Sequence, residues 1–353
     1  MLNGISAIDL FCGVGGLTNG LIRAGIPVLA GFDIDESCEY AYESNNKTAQ
    51  FIARSVSDEN LSSILNDLYP PGDIKVLVGC APCQPFSSYT QVNKKRHKDA
   101  KWFLINDFMR VIKELEPEVI SMENVPSLAR QDIFLEFITT LEEKLSYHIC
   151  AEIVNCVDYG VPQNRKRLVM LASKLGPITI LNGHHGAKPK TVRQAIGGLR
   201  GISAGETYAE DPLHHARDLA PINMQRIQAS IAGGTWRDWP IALRTRCHNK
   251  ASGATYSSVY ARMEWDKPSP TITTQFIAYG TGRFGHPEQD RALSLREGAL
   301  LQSFPKRYKF FPKNENYSAI SAERIARHIG NAVPPKLGWA IGRSIVENIQ
   351  LYS

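Results

Sequence analysis

Six short apolar runs punctuate the first half of the chain: "ISAIDLF", "PVLAGFDI", "FIARSV", "KVLVGC", "EVISMENV" and "RLVMLAS". Such runs read as strands buried on both faces, as in a parallel sheet. Between them lie segments with helical periodicity, among them Leu61–Leu68, Phe103–Leu115 and Ile133–Leu145. Parallel neighbours need a crossover long enough to hold a helix, so this alternation predicts an α/β fold with a doubly wound, Rossmann-like sheet. All six runs are expected to be parallel strands. Ligands in that architecture gather beyond the carboxyl ends of the strands, which makes the residues just after each run the ones to read for chemistry.

From about Gly186 the texture changes. Residues 187–285 are rich in Gly, Pro, Arg, Trp and Thr and show no alternation, which predicts a smaller second domain of irregular or antiparallel structure. Helical periodicity returns in "ISAERIARHIGNAVPPKLGWAIGRSIVENI", broken by Pro334 and Pro335, and the final helix is expected to pack back on the first domain. A length of 353 residues suits one large domain and one smaller one. With 43% hydrophobic and 21% charged residues the composition is that of a soluble globular protein. No apolar stretch reaches the roughly 18–20 residues of a membrane span, and the N-terminus lacks a signal-peptide layout. Seven cysteines, an odd number, argue against a disulfide framework and for a reducing cytoplasm. The net charge of +5 permits a polyanionic partner without requiring one.

"DLFCGVGG" (Asp9–Gly16) follows the first apolar run and precedes a helical segment. Glycines there let the backbone approach a ligand, although a tight turn alone would use them too. The second run ends in Asp33, where a carboxylate could hold ribose hydroxyls; the alternative, a helix N-cap before "ESCEYAYES", suits Asp35 better. The spacing is not G-x-G-x-x-G, which counts against a nicotinamide dinucleotide.

The fourth run leads into "GCAPCQPFSS". A buried, inert thiol is the default for any cysteine, but Pro82 and Pro85 hold Cys83 in a loop at a strand end. The basic stretch Asn93–Lys101 follows; read alone it is a solvated surface loop, but beside a thiol it could favour the thiolate. Cys80 and Cys83 also form a C-x-x-C pair, but no second pair exists to complete a zinc site. A zinc deaminase would need a cysteine where Phe86 stands. No metal is expected. Glu123 and Asn124 close the fifth run: Glu123 either caps a helix or is a buried carboxyl kept protonated by desolvation, as a general acid must be. In "PQNRKRL" Arg165 and Arg167 alternate, so on an extended segment they share a face, either as surface charges or as a clamp for a phosphate or carbonyl oxygen.

Taken in order, "DLFCGVGG", "GCAPCQPFS", "ENV", "QNRKRL", "RALSLREGALLQSFP" and "GNAVPP" resemble the motifs of DNA cytosine-5 methyltransferases, over nearly the whole chain. The resemblance implies a catalytic and S-adenosyl-L-methionine-binding domain over 1–185, completed by 315–353. It also implies a target-recognition domain over 186–314, with a variable core at 187–285. It makes Cys83 the nucleophile, with Glu123, Arg165 and Arg167 as catalytic partners. Cofactor contacts fall on Phe11, Gly13, Gly15, Gly16, Asp33, Ile34, Pro82, Leu104, Asn331 and Val333. Gln84, Ser87, Lys94, Lys95 and Arg96 would meet DNA after Cys83, and Arg237, Arg244, Arg246 and Arg283 are candidate readers of the target sequence. The family pattern breaks at one place: Ser55, with Asp58 three residues on, stands where an acid often binds the adenine amino group.

The implied protein is a monomeric, cytoplasmic, prokaryotic modification enzyme acting on duplex DNA, with a cognate restriction endonuclease as partner and no membrane. The nearest alternative is an RNA methyltransferase, since one branch of the family modifies tRNA; the sizeable region between "QNRKRL" and "RALSLRE" favours DNA. A catalytically dead DNA-binding relative would be expected to lose Cys83 or Glu123, and both are present.

Overall fold

The computed structural model describes residues 4–81, 103–183, 188–250, 253–312 and 321–353. Pro82, Cys83, Gln84, Ser87, Lys94, Lys95 and Arg96 lie outside the described residues.

The described residues fall into two compact units. The first (1–159, 166–185 and 332–353) is built on seven strands: β1 Ile5–Leu10, β2 Val28–Asp33, β3 Gln50–Ala53, β4 Ile74–Gly79, β5 Val119–Asn124, β6 His148–Asn155 and β7 Lys166–Ser173. Their order is β3-β2-β1-β4-β5-β7-β6. Helices α1 Gly16–Ala24, α2 Glu39–Asn45, α3 Leu61–Leu68, α4 Phe103–Leu115 and α5 Asp132–Thr139 follow the strands as the alternation predicted. β1 and β5 are buried at every position and β4 at its last four, as the unbroken apolar runs require.

One expectation is overturned. The first five strands pair in parallel, but "RLVMLAS" in β7 runs antiparallel to both β5 and β6. The apolar pattern cannot tell the two cases apart, because burial on both faces looks the same in either direction. Direction is set by β6, which the apolar signal missed: its "HICAEIVN" is largely exposed at the sheet edge. The short link from β6 to β7 leaves no room for a crossover, so β7 must return antiparallel.

The closing helix α10 (Pro335–Tyr352) lies on α1 in the same unit, as expected. Glycines allow the backbones to touch: a Cβ at Gly20 would stand 2.4 Å from the carbonyl carbon of Gly338. Even alanine at Gly20 would force the two helices apart.

The second unit comprises 160–165 and 186–331. It holds α6 Val192–Ile196, α7 Pro221–Gln228, α8 Leu295–Leu301 and α9 Ala322–Asn331, joined by turns, single 3-10 turns and isolated bridges. Helix α9 belongs here and not with the first domain as expected: a Cβ at its Gly330 would stand 2.5 Å from the Thr273 backbone, and Arg217 pairs with Glu323 at 2.9 Å.

With few ladders available, buried arginines take up the backbone carbonyls of this unit. Arg262, 4% exposed, donates to the carbonyls of Ile227, Ser230, His286 and Gln289 and pairs with Asp290. Arg291, fully buried, grips both oxygens of Glu297 at 2.7 Å. Burial pushes the Glu297 carboxyl up, but the hydrogen bonds and charge of Arg291 more than offset this and hold it below the ordinary range. The arginine-rich composition of this region is therefore in good part structural.

Candidate active site

The glycine turn after β1 has the backbone of a ligand cradle. Phe11, Gly13 and Gly15 have φ of 59°, 50° and 82°. Glycine accepts such angles freely, whereas Phe11 costs about 1 kcal/mol. A Cβ at Gly13 would meet no atom of the described residues within 4 Å, so among them the backbone there borders open space. At Gly16 a Cβ would stand 2.3 Å from the carbonyl oxygen of Val333, which ties that turn to the segment before α10.

Asp33 closes β2 and spans two backbones. Its Oδ2 accepts from Gly13 N and its Oδ1 from Asp35 N, each at 2.9 Å. The cap role falls to Asp35, which accepts from Ser37 N. Asp33 thus shapes the turn and still offers a second lone pair on each oxygen. Ile34 is 75% exposed, an apolar side chain left open beside it. Leu104 is half-buried on α4 and Asn331 is exposed at the end of α9. Ser55 Oγ accepts from Ser57 N, while Asp58 is held by Arg54 and by Asn60 N, whose hydrogen bond is the main cause of its lowered pKa.

Beneath the turn, Asp9 is 1% exposed. Thr18 Oγ1 donates to its Oδ2 at 2.6 Å, and its Oδ1 accepts no hydrogen bond among the described residues. Burial pushes this carboxyl up from 3.8 to about 7, and the charge of Asp33 adds to the rise. In the sequence Asp9 stands out only as the start of the "DLFCGVGG" motif.

At the ends of β4 and β5 a second cluster forms. Glu123 is 3% exposed. β5 pairs with β7 so that Glu123 faces Val169, and Arg167, two residues before Val169, lies diagonally across on the same face. Its Nε stands 2.9 Å from Glu123 Oε1. That N–H is not directed along the contact, so Oε1 accepts no hydrogen bond among the described residues. The other oxygen, Oε2, accepts from the Cys80 thiol at 3.0 Å. Asn124, also buried, donates to the carbonyl of Ala81 at 3.1 Å and so steadies the chain just before Pro82 and Cys83. Nothing local in the sequence assigns these roles to Cys80 and Asn124. A polar residue closing a buried strand was the available signal for Asn124.

Arg165 does not share these partners. It is 3% exposed in the second unit and donates to the carbonyls of Ile272 and Gly330, each at 3.1 Å. Among the described residues the two arginines hold different groups, Arg165 the carbonyls of Ile272 and Gly330 and Arg167 the Glu123 carboxylate.

Residues 5–347 match the family of C-5 cytosine-specific DNA methylases. The chain belongs to that family. It is similar to the Type II methylase M.HgiDII of Herpetosiphon aurantiacus, at 52% identity covering 96% of this chain and 94% of that one. It is also similar to the Type II methyltransferase M1.HphI of Haemophilus parahaemolyticus, at 31% identity over 97% and 87%. The solved structure of the Entamoeba histolytica methyltransferase EhMeth shares the fold, with a TM-score of 0.69 at 15% identity, covering 99% of each chain. This DNA (cytosine-5) methyltransferase therefore requires a methyl donor, and nothing in these likenesses favours the RNA alternative.

The methylase's candidate sequence readers lie in different settings. Arg283 donates to the carbonyl of Gly233 and Arg244 to that of Arg237, each at 2.6 Å. Arg237 is exposed with its guanidinium 5.5 Å from the Trp236 ring centre, and Arg246 is exposed. Trp236 itself is buried, stacked on His248 at 4.2 Å. No helix among the described residues is long and apolar enough to cross a membrane.

Proposed function

We propose that this methylase modifies cytosine within a specific duplex DNA sequence, using S-adenosyl-L-methionine, as the modification partner of a restriction endonuclease. The observation that carries the reading is Glu123: a buried carboxylate at the end of β5 whose Oε1 accepts no hydrogen bond among the described residues. An acceptor left open at that depth fits a base N–H drawn out of the duplex.

The residues at the glycine turn fit the cofactor. Open space beside Gly13, the two carboxylate oxygens of Asp33 and the exposed Ile34 suit a ligand with a ribose and an apolar ring. S-adenosyl-L-methionine, when bound, supplies a methyl group on an electrophilic sulfonium. Phe11, the Gly13–Gly16 turn, Asp33, Ile34, Pro82, Leu104, Asn331 and Val333 would hold it.

Cytosine C5 is too weak a nucleophile to accept a methyl group unaided. Addition of the Cys83 thiolate at C6, with the protonated Glu123 carboxyl donating its proton to N3, breaks the C5–C6 double bond and pushes electron density to C5. Arg167 supplies the counter-charge that keeps Glu123 in place. After methylation, loss of the C5 proton and expulsion of Cys83 restore the ring. Gln84, Ser87, Lys94, Lys95 and Arg96 contact the DNA around the displaced base. Residues 187–285 read the sequence, with the exposed Arg237 and Arg246 among the readers.

DNA carrying 5-fluorocytosine at the target tests this. Thiolate addition and methyl transfer leave the carbon–fluorine bond intact, and fluorine cannot depart as a cation, so Cys83 stays attached. A denaturation-resistant adduct is expected only with S-adenosyl-L-methionine present, and Cys83→Ala should abolish it. An adduct mapped to another cysteine would overturn the mechanism, and an adduct on fluorinated tRNA but not duplex DNA would overturn the substrate.

A further inference from the structure

We propose that Cys80 is a positioning residue for the reaction: its thiol, together with Arg167, sets the orientation of the Glu123 carboxylate that meets the base. The inference rests on the reading of Glu123 given above. The terminal torsion of a glutamate is broad and roughly two-fold, so burial and a single ion pair do not by themselves fix the carboxylate plane. Here the two oxygens have different partners. Oε1 faces Arg167 Nε at 2.9 Å and Oε2 accepts the Cys80 thiol hydrogen at 3.0 Å.

The backbone holds the thiol in this place. β4 and β5 pair in parallel with Gly79 beside Met122, so the next residues, Cys80 and Glu123, come side by side. Cys80 N continues the ladder by donating to the carbonyl of Leu10 at 3.3 Å. The main chain thus keeps Cys80 beside Glu123, with its thiol within hydrogen-bond reach of Oε2.

The chemistry of the donor matters as much as its position. A thiol is a weak hydrogen-bond donor. It can orient Oε2 in the resting enzyme and share or yield that oxygen when a base N–H arrives. Alanine would leave the carboxylate free to turn toward Arg167 alone. Serine would keep a donor at the same place.

Single-turnover methyl transfer with the full chain, duplex DNA and S-adenosyl-L-methionine tests the assignment on Cys80→Ala, Cys80→Ser and Glu123→Gln. Cys80→Ala is expected to slow methyl transfer roughly tenfold, the loss of about one hydrogen bond to a charged group. KM for both substrates, read from steady-state titrations, should not change. Cys80→Ser should restore the rate. If Cys80→Ser is as slow as Cys80→Ala, the thiol is only packing and the proposal is overturned. A wild-type rate in Cys80→Ala, with Glu123→Gln inactive, also overturns it while leaving the role of Glu123 intact. A wild-type rate in Glu123→Gln instead removes the reading on which the proposal stands.

Discussion

Arg167 Nε stands 2.9 Å from Glu123 Oε1, and only the antiparallel register of β7 on β5 puts it there. In that register Glu123 faces Val169, and a long side chain two residues earlier reaches across the diagonal. The ion pair is largely removed from water, with side-chain exposures of 13% and 3%. Removing one partner of a buried pair leaves an uncompensated charge, which commonly costs about 3–5 kcal/mol. Arg167→Met is therefore expected to destabilise the fold by about 3 kcal/mol, and Glu123→Gln in the same chain to recover most of that loss. Chemical denaturation of the four members of the cycle measures the coupling. Additive losses would show that the two side chains do not interact.

Asp33→Ala should weaken S-adenosyl-L-methionine binding by more than tenfold while DNA affinity holds. Its carboxylate accepts from Gly13 N and Asp35 N at 2.9 Å, so the substitution removes a ligand group and loosens the turn around it. Hydrogen bonds to a charged group contribute about 1.5–3 kcal/mol. Calorimetric titration decides the matter: unchanged cofactor affinity would leave Asp33 a purely structural bridge.

Asp9 predicts a pH dependence of stability. Burial raises its pKa from 3.8 to about 7, with the nearby charge of Asp33 adding to the effect. Because the folded value lies above the unfolded one, its contribution is fully present below about pH 4. It is lost progressively as pH rises to about 7 and stays lost above that. The full swing is up to about 4 kcal/mol. Asp9→Asn keeps a neutral partner for Thr18, so it should remove this part of the decline. Urea unfolding at pH 5 and pH 8 should show a smaller difference in Asp9→Asn than in the wild type; equal differences would place the titration elsewhere.

Target choice should travel with residues 187–285. Exchanging that segment for the equivalent one of a relative with a different target is expected to move the methylated sequence while Cys83 chemistry continues. Bisulfite or nanopore sequencing of DNA from a methylation-free host reads the result. An active chimera that still marks the original sequence would assign the reading to other residues. Within the segment, Arg237→Ala and Arg246→Ala should relax target choice or weaken DNA binding. Arg283→Ala should act mainly through stability, since its guanidinium holds the Gly233 carbonyl at 2.6 Å.

Local signals in the sequence determined a great deal. Unbroken apolar runs demanded strands buried on both faces, and β1, β4 and β5 follow. The glycines after β1 marked a turn that only glycine makes without strain, and Gly13 and Gly15 adopt positive φ there. Asp35 was legible as a cap because a cap is a property of three consecutive residues. Tertiary structure alone decided which way β7 runs, because apolar content carries no direction and the deciding strand β6 is an exposed edge. From that direction follows the partner of Glu123. It also decided what the arginines do: Arg165, Arg262 and Arg291 look like surface or DNA-facing charges in a list of residues, yet each is buried on carbonyls or a carboxylate. A guanidinium's role depends on which acceptors an irregular backbone leaves unpaired, and those are set by residues far away in the chain.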